Sequence, residues 1–356
     1  MKIKFFFLFL FTEVCVGVLF FVVWNQSVFD GYSEPVLEIV DNTSSDTSLI
    51  EIKKTNEPNT IMLVGDLMLG RGVARIVEKN GGNFDYIFEN VNSLLSSADI
   101  TFGNLEGPVS DDGFDSGKKY SFRFKPVIVD SLARVGFDVV SLANNHIFDW
   151  GRKALCDTLV HLQKVNITSV GAGCNKQQAN EPFVVTIGEG LSVTTIAFVA
   201  YTEFYKGAEA TEKRAGITKW DIPEILETIK DLKNKGIDLV FLSVHWGTEY
   251  KEISNEAQQL IARSLVDGGV DVVVGHHPHV VQEIERYNNG LIVYSLGNFI
   301  FDQSWSEATM RGLAVEVQVI EGRIVGVQEI PIQLNRSFQP MVVGTKNKFL
   351  IEETSI

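Results

Sequence analysis

The sequence predicts an α/β domain, and three features carry that prediction. From Thr60 onward, short apolar runs of strand length alternate with longer stretches of helical period. The runs are rich in Val, Ile and Leu with little polar interruption, the composition of strands covered by helices rather than half open to water. Segments near residue 190 and after residue 312 pair as hairpins, so antiparallel strands join the sheets.

The first run, Ile61 to Val64, is a short buried strand ending at Gly65-Asp66. Helical stretches around Val73 to Glu78 and Tyr86 to Ser96 follow. A second strand, Asp99 to Phe102, then ends at Gly103-Asn104-Leu105-Glu106. Pro126 suits a first helical turn and opens a helix running to about Val135. Asp138 to Leu142 is a strand ending at Ala143-Asn144-Asn145-His146, and a helix covers Arg152 to Lys164. Phe183 to Ile187 and Ser192 to Ala200 form a hairpin around Gly188-Glu189-Gly190. Pro223 begins a helix to Lys235, and Asp238 to Val244 is a strand ending at His245-Trp246-Gly247. A helix from Glu256 to Val266 leads into the β-branched run Val272 to Val274. Leu291 to Ser295 is a strand ending at Leu296-Gly297-Asn298, and Leu313 to Ile320 with Ile324 to Ile332 makes the closing hairpin. No internal repeat is evident. These elements place one domain at 60–335, followed by a tail at 336–356.

Composition bounds the function. Hydrophobic residues make up 45% of the chain and charged residues 21%, ample for a core. A formal net charge of −14 argues against a nucleic-acid surface, which wants a basic patch, while leaving room for a local cationic or metal-lined pocket. Cys15, Cys156 and Cys174 have no metal or redox spacing, and at most one disulfide can form in the globular part.

The N-terminus has its own character. Lys2 and Lys4 precede Phe5 to Trp24, interrupted only by Thr12, Glu13 and Gly17, and long enough to cross a hydrocarbon core. No small-residue cleavage site follows, so 5–24 reads as an uncleaved transmembrane signal anchor. The two lysines place residues 1–4 in the cytoplasm and the bulk outside, at the cell membrane. The Ser-, Thr-, Asn- and Asp-rich segment 25–59 reads as a polar linker.

The chemistry gathers at strand ends. After Val272 to Val274 comes Gly275-His276-His277-Pro278-His279, three of the protein's six histidines within four positions. Pro278 stiffens this loop and biases His277 towards an extended conformation. Asp66, Asn104 with Glu106, Asn145 with His146, His245, and His277 with His279 all stand where a strand gives way to a loop, the edge at which open α/β sheets bind ligands. The remaining histidine, His161, lies inside a helix. Carboxylates, an amide oxygen and imidazoles without thiolate suit Mn, Fe or Zn, as one or two ions. A pair of ions would stabilise a phosphoryl-type transition state. His146, beside Asn145, is placed to pass a proton to a leaving group.

Five motifs resemble the CapA/PgsA family of poly-γ-glutamate capsule proteins (the PGA_cap domain): Gly65-Asp66-Leu67-Met68, Gly103-Asn104-Leu105-Glu106, Asn144 to Asp149, His245 to Glu249, and Gly275 to His279. The resemblance spans about residues 60 to 302 in order. That family is in turn similar to calcineurin-like metallophosphoesterases, which implies a four-layer α/β/β/α sandwich. Carried over by position, Asp66 is a first-strand ligand, Asn145 and His245 bind a second ion, His277 and His279 each bind metal, and His146 is the acid. Two positions depart from the phosphoesterase pattern. Met68 stands where a His is expected two after the first Asp, and the bridging Asp falls at Asn104, leaving Glu106 as the nearest anionic substitute.

Each neighbour carries alternatives. Asp66 is a ligand or a turn-capping residue, and Glu106 a ligand or a plain loop carboxylate. Asp149 orients His146 or caps the following helix. Glu249 contacts substrate or lies on the surface, and His276 sits beside the ligands or is exposed. Asn298 and Asp302 line the pocket or make an ordinary turn, and Met68 is a packing residue. The resemblance implies biosynthesis, release or export of poly-γ-glutamate or a related anionic polymer, with synthase or export subunits as partners. A metal-dependent phosphoester hydrolase of the envelope and a non-catalytic membrane scaffold for a synthase are the other classes.

Overall fold

A computed structural model describes residues 57–189, 193–344 and 347–350. The proposed anchor at 5–24 and most of the linker lie outside these residues. Among the described residues no helix is long and apolar enough to cross a membrane.

The chain is a mixed α/β fold. It begins with β1 (Asn59–Leu67), α1 (Arg71–Lys79), α2 (Asp85–Phe88) and α3 (Asn92–Ser96). Next come β2 (Ile100–Leu105), α4 (Ile128–Arg134), β3 (Val139–Ser141), α5 (Gly151–Lys164) and β4 (Thr168–Val170). A small segment follows: β5 (Ala172–Gly173), α6 (Lys176–Asn180), then β6 (Phe183–Ile187), β7 (Thr194–Thr202) and β8 (Gly216–Ile217). The second half carries α7 (Ile222–Asn234), β9 (Leu239–His245), α8 (Glu256–Asp267), β10 (Val272–His276), β11 (Ile284–Tyr287), β12 (Gly290–Val293) and β13 (Asn298–Ile300). It closes with β14 (Arg311–Ile320), β15 (Arg323–Leu334), β16 (Pro340–Val342) and β17 (Asn347–Leu350).

Two main sheets result. The first runs β16-β15-β14-β1-β2-β3-β4, with β13 beside β1 and β17 beside β15; the second runs β11-β12-β10-β9-β7-β6. Within them β1 to β4 are mutually parallel, as are β7, β9, β10 and β12, so their carboxyl ends share an edge in each sheet. Period-two alternation explains the layering. In β1, Ile61 and Leu63 face the second sheet, packing with Phe102, Phe198, Phe241 and Val274, while Met62 and Val64 face outward beneath Val73, Leu132 and Leu155 of the helices. In β7 and β9, Phe198 and Phe241 point inward, and Val199, Val240 and Leu242 meet Ile229 of α7 and Leu265 of α8. Helices, sheet, sheet and helices therefore lie in that order.

Two glycines permit the approach of strands near the site. A Cβ on Gly65 would stand 2.1 Å from the Gly297 carbonyl oxygen, and one on Gly275 would stand 1.9 Å from that of Tyr294. Any side chain at either position would push β13 or β12 away.

Several sequence expectations need adjustment. The helix expected over Tyr86 to Ser96 is two short ones, broken at Glu89-Asn90-Val91, where Asn90 favours turn over helix. Pro126 makes a turn before the helix: Ile128 N–H donates to Lys125 O at 3.1 Å and Val129 N–H to Pro126 O at 3.2 Å. Strands β4 and β13, three residues each, were too short to read. Past residue 335 the chain continues into the first sheet, with β16 and β17 pairing antiparallel to β15. Cys156 of α5 and Cys174 are joined as a disulfide.

Candidate metal centre

Asp66 sits at the end of β1, fully buried, and is the hinge of the site. Its Oδ1 accepts from Asn104 Nδ2 at 2.8 Å and lies 3.3 Å from His276 Nδ1; its Oδ2 lies 3.2 Å from His279 Nδ1 and accepts from the His277 backbone N–H at 3.4 Å. Burial raises this carboxyl, but the contacts with His276 and His279 outweigh it and hold it well below the ordinary range. The ends of β1 and β10, one from each sheet, thus meet at one carboxylate.

On the first sheet the donors are oxygens. Asn104 gives its amide to Asp66 and to Glu106 Oε2 at 3.2 Å, and its Oδ1 accepts from Asn144 Nδ2 at 3.1 Å. It ties the two carboxylates together in place of an anionic bridge. Glu106 is fully buried, and its Oε1 has no hydrogen-bond partner among the described residues. Burial, then the negative charges of Asp66, Glu249 and Asp149, raise its carboxyl well above the usual value.

On the second sheet the donors are nitrogens. His245, at the end of β9, places Nε2 3.0 Å from Asn145 Oδ1 and Nδ1 3.4 Å from Asn104 Nδ2. His279 directs Nδ1 to Asn298 Oδ1 at 3.1 Å and Nε2 towards Glu106 Oε1 at 3.5 Å. Asn298 therefore orients an imidazole, itself held by Gln303 and the Thr309 carbonyl. His277 packs its ring 4.3 Å from that of Phe204 and buries an Nδ1 without a partner. Burial, with the charge of His279, lowers the His277 imidazole to about 3, and burial lowers His245 as well.

The loop that carries these histidines is strained. The sequence led us to expect an extended His277 before Pro278, yet its φ is +97°, and His279 has φ +58°. Non-glycine residues rarely adopt such values, and they cluster where a site dictates geometry. His276 is buried rather than exposed, next to Asp66 and the Phe102 ring at 6.1 Å.

His146 and Asp149 form a buried dyad. His146 Nδ1 lies 2.6 Å from Asp149 Oδ2, leaving Nε2 to face Glu106 Oε1 at 3.9 Å. Burial lowers the His146 imidazole, against the pull of Asp149. Asp149 orients this ring and does not cap α5, whose N-cap is Trp150. Lys118, unmarked by any motif, donates to Asp149 Oδ1 and to the Asn145 carbonyl, each at 2.7 Å, and touches Tyr205 OH. Phe122, stacked on His146 at 3.8 Å between centroids, was foreshadowed only by the alternation Tyr120, Phe122, Phe124.

Two sets of donors converge. Asp66, Glu106 and His245 each offer an atom within 4.8 Å of the others, as do Glu249, His277 and His279. Asn145 is half-buried beside the first set. Asp302 stands apart, pairing with Arg71 at 3.1 Å and accepting from the Gly72 N–H at 2.8 Å at the start of α1. Met68 is buried in the helix-side core, and His161 lies half-buried on α5. Buried nitrogen and oxygen atoms without partners, beside carboxylates lacking a cation, are what a divalent ion would satisfy, and the residues fit one.

Comparison with known proteins identifies the family. Residues 60–303 match the family model described as bacterial capsule synthesis protein PGA_cap. The capsule biosynthesis protein CapA of Bacillus anthracis is 33% identical over 302 residues, covering 83% of this chain and 72% of that protein. The PGA biosynthesis protein CapA of Bacillus subtilis is 36% identical over 245 residues, covering 68% and 63%. Among solved structures, the calcineurin-like phosphoesterase YfkN from Bacillus subtilis aligns at 12% identity and a TM-score of 0.38, covering 82% of this chain and 90% of that one. The chain belongs to the PGA_cap capsule synthesis family, as its five motifs led us to expect.

Proposed function

We propose that this chain is a membrane-anchored, outward-facing metal protein acting in the biosynthesis, release or export of poly-γ-glutamate or a related anionic polymer. One observation carries the metal reading: carboxylates and imidazoles converge in two donor sets at the strand ends, with buried atoms left unpartnered among the described residues. Family membership supports the polymer. Outward placement is supported by the apolar segment 5–24 and by the Cys156–Cys174 disulfide, a bond that persists in oxidising compartments. Synthase or export subunits would be its partners in the membrane.

Asp66, Glu106, Asn145, His245, His277 and His279 would hold the ion or ions. When bound, a divalent cation of the Mn, Fe or Zn type supplies charge neutralisation and Lewis acidity towards an anionic group. The rest falls to the protein. Asp149 fixes the His146 tautomer by accepting at Nδ1, so Nε2 is the atom that holds or passes a proton at the edge of the site. Phe122 holds the ring flat, and Phe204 screens His277 from water. The dyad favours chemistry over a purely structural role, which makes hydrolysis of a phosphoester the second reading.

Complementation tests the proposal. In cells deleted for this gene, wild type and His161→Ala should restore surface polymer, whereas His245→Ala and His277→Ala should not. Full restoration by both site variants would contradict a metal-dependent role and favour a scaffold.

A further inference from the structure

We infer that Glu249 is a metal ligand, forming with His277 and His279 a three-donor position for a divalent ion and making good the ligand that Met68 cannot provide. The inference rests on the metal reading above and adds a donor that the phosphoesterase pattern does not contain.

Position comes first. The carboxylate of Glu249 and one nitrogen from each of His277 and His279 lie within 4.8 Å of one another. Glu249 is exposed while both histidines are buried, so the carboxylate would close the position from the solvent side. Its loop is fastened to the histidine loop, since the Tyr250 N–H donates to the Pro278 carbonyl at 2.8 Å. The other end is fixed by the Gly247 N–H, which donates to Glu203 Oε1 at 2.7 Å. Gly247 and Tyr250 both adopt left-handed φ, +84° and +63°, turning the loop back over the edge.

Need comes second. Met68 is fully buried among the helix-side apolar residues, and its N–H donates to the Ile300 carbonyl at 2.9 Å. His277 keeps a buried Nδ1 without a partner, and both histidines hold strained backbone. Strain of that kind persists only where something compensates for it.

Charge comes third. Asp66, Glu106 and Glu249 bring three carboxylates together, and the negative charge of Glu249 is felt at buried Glu106. Lys118 and Arg71 are already paired, with Asp149 and Asp302. A bound divalent cation would compensate these carboxylates. Exchanging an imidazole for a carboxylate makes the position harder, so it should prefer Mn2+ over softer ions.

The test is Mn2+ titration of the full-length chain in mild detergent by calorimetry, with bound metal counted by elemental analysis. The donor sets predict two ions for wild type. Glu249→Gln should retain one, the other weakened on the order of 100-fold, and Glu249→Asp should recover part of the loss. Unchanged folding of the exposed-site variants is checked by thermal melting without metal. Wild-type stoichiometry and affinity in Glu249→Gln would overturn the inference and leave the metal reading standing. A wild-type chain that binds no Mn2+, Fe2+ or Zn2+ would overturn both.

Discussion

The first sheet brings buried carboxylates to the site and the second a histidine-rich loop, and they are held in different ways. Asp66, Asn104 and Glu106 sit at or just beyond the ends of β1 and β2, Asp66 at an irregularity in the strand pairing, laced together by one amide that donates to both carboxylates. His277 and His279 sit on a loop with positive φ at both residues, and His277 leaves a buried nitrogen unpartnered. One side is crowded with buried carboxylates. The other is conformationally strained. A cation at their junction would relieve both the crowded charge and the strain.

The largest effect should come from the residue that both sides share. Asp66→Asn is expected to weaken every bound ion by on the order of 100-fold or more, because Asp66 belongs to one donor set and contacts His279 and the His277 N–H of the other. Calorimetry that finds one ion still bound at wild-type affinity would show that the halves are independent.

Asn104→Asp sharpens the contrast in the other direction. It restores an anionic bridge, adding a third buried carboxylate to a site without cation. The metal-free protein should lose on the order of 3 kcal/mol of stability, and added Mn2+ should recover it. Chemical denaturation with and without metal measures both.

One group from each half, His277 and Glu106, should titrate with opposite sign in the metal-free protein. His277 has a folded value of about 3, below its unfolded 6.5, so the unfolded chain binds more protons between them. Stability is then lost as pH falls from about 6.5 towards 3, and His277→Asn should flatten that slope. Glu106 is raised above 4.5, so its contribution is present at low pH and lost as pH rises through its folded value; Glu106→Gln should remove this opposing slope. Each unit of displacement is worth about 1.4 kcal/mol.

The smallest change concerns support of the dyad. Lys118→Met leaves Asp149 bonded to His146 and to the Phe122 N–H but without its ammonium partner. An approximately tenfold loss of activity, with a displaced pH profile and unchanged metal content, is expected. A variant that loses metal instead would show that Lys118 acts through the Asn145 carbonyl.

Much of the site was legible because its residues end strands. The β-branched runs Val272 to Val274 and Ile61 to Val64 announce buried strands, and parallel pairing then brings their ends together. Met68 read correctly as packing. What stayed hidden depends on tertiary contact rather than pattern. Local rules made His277 extended before Pro278, but its N–H reaches towards Asp66 across 211 positions of sequence, and that constraint overrode them. Lys118 sits in a polar loop with nothing to mark it, and the exposed Glu249 resembles any surface carboxylate until the fold sets it beside two histidines. Strands of three residues, such as β4 and β13, carry too little periodicity to stand out.

The central claim is that the two sheets jointly hold metal, and elemental analysis of the purified full-length chain tests it most directly. Mn, Fe or Zn is expected at two ions per chain in wild type and in His161→Ala, falling to background in the double variant His245→Ala with His277→Ala. Equal metal in wild type and the double variant, or none in any of them after incubation with each ion, would contradict it.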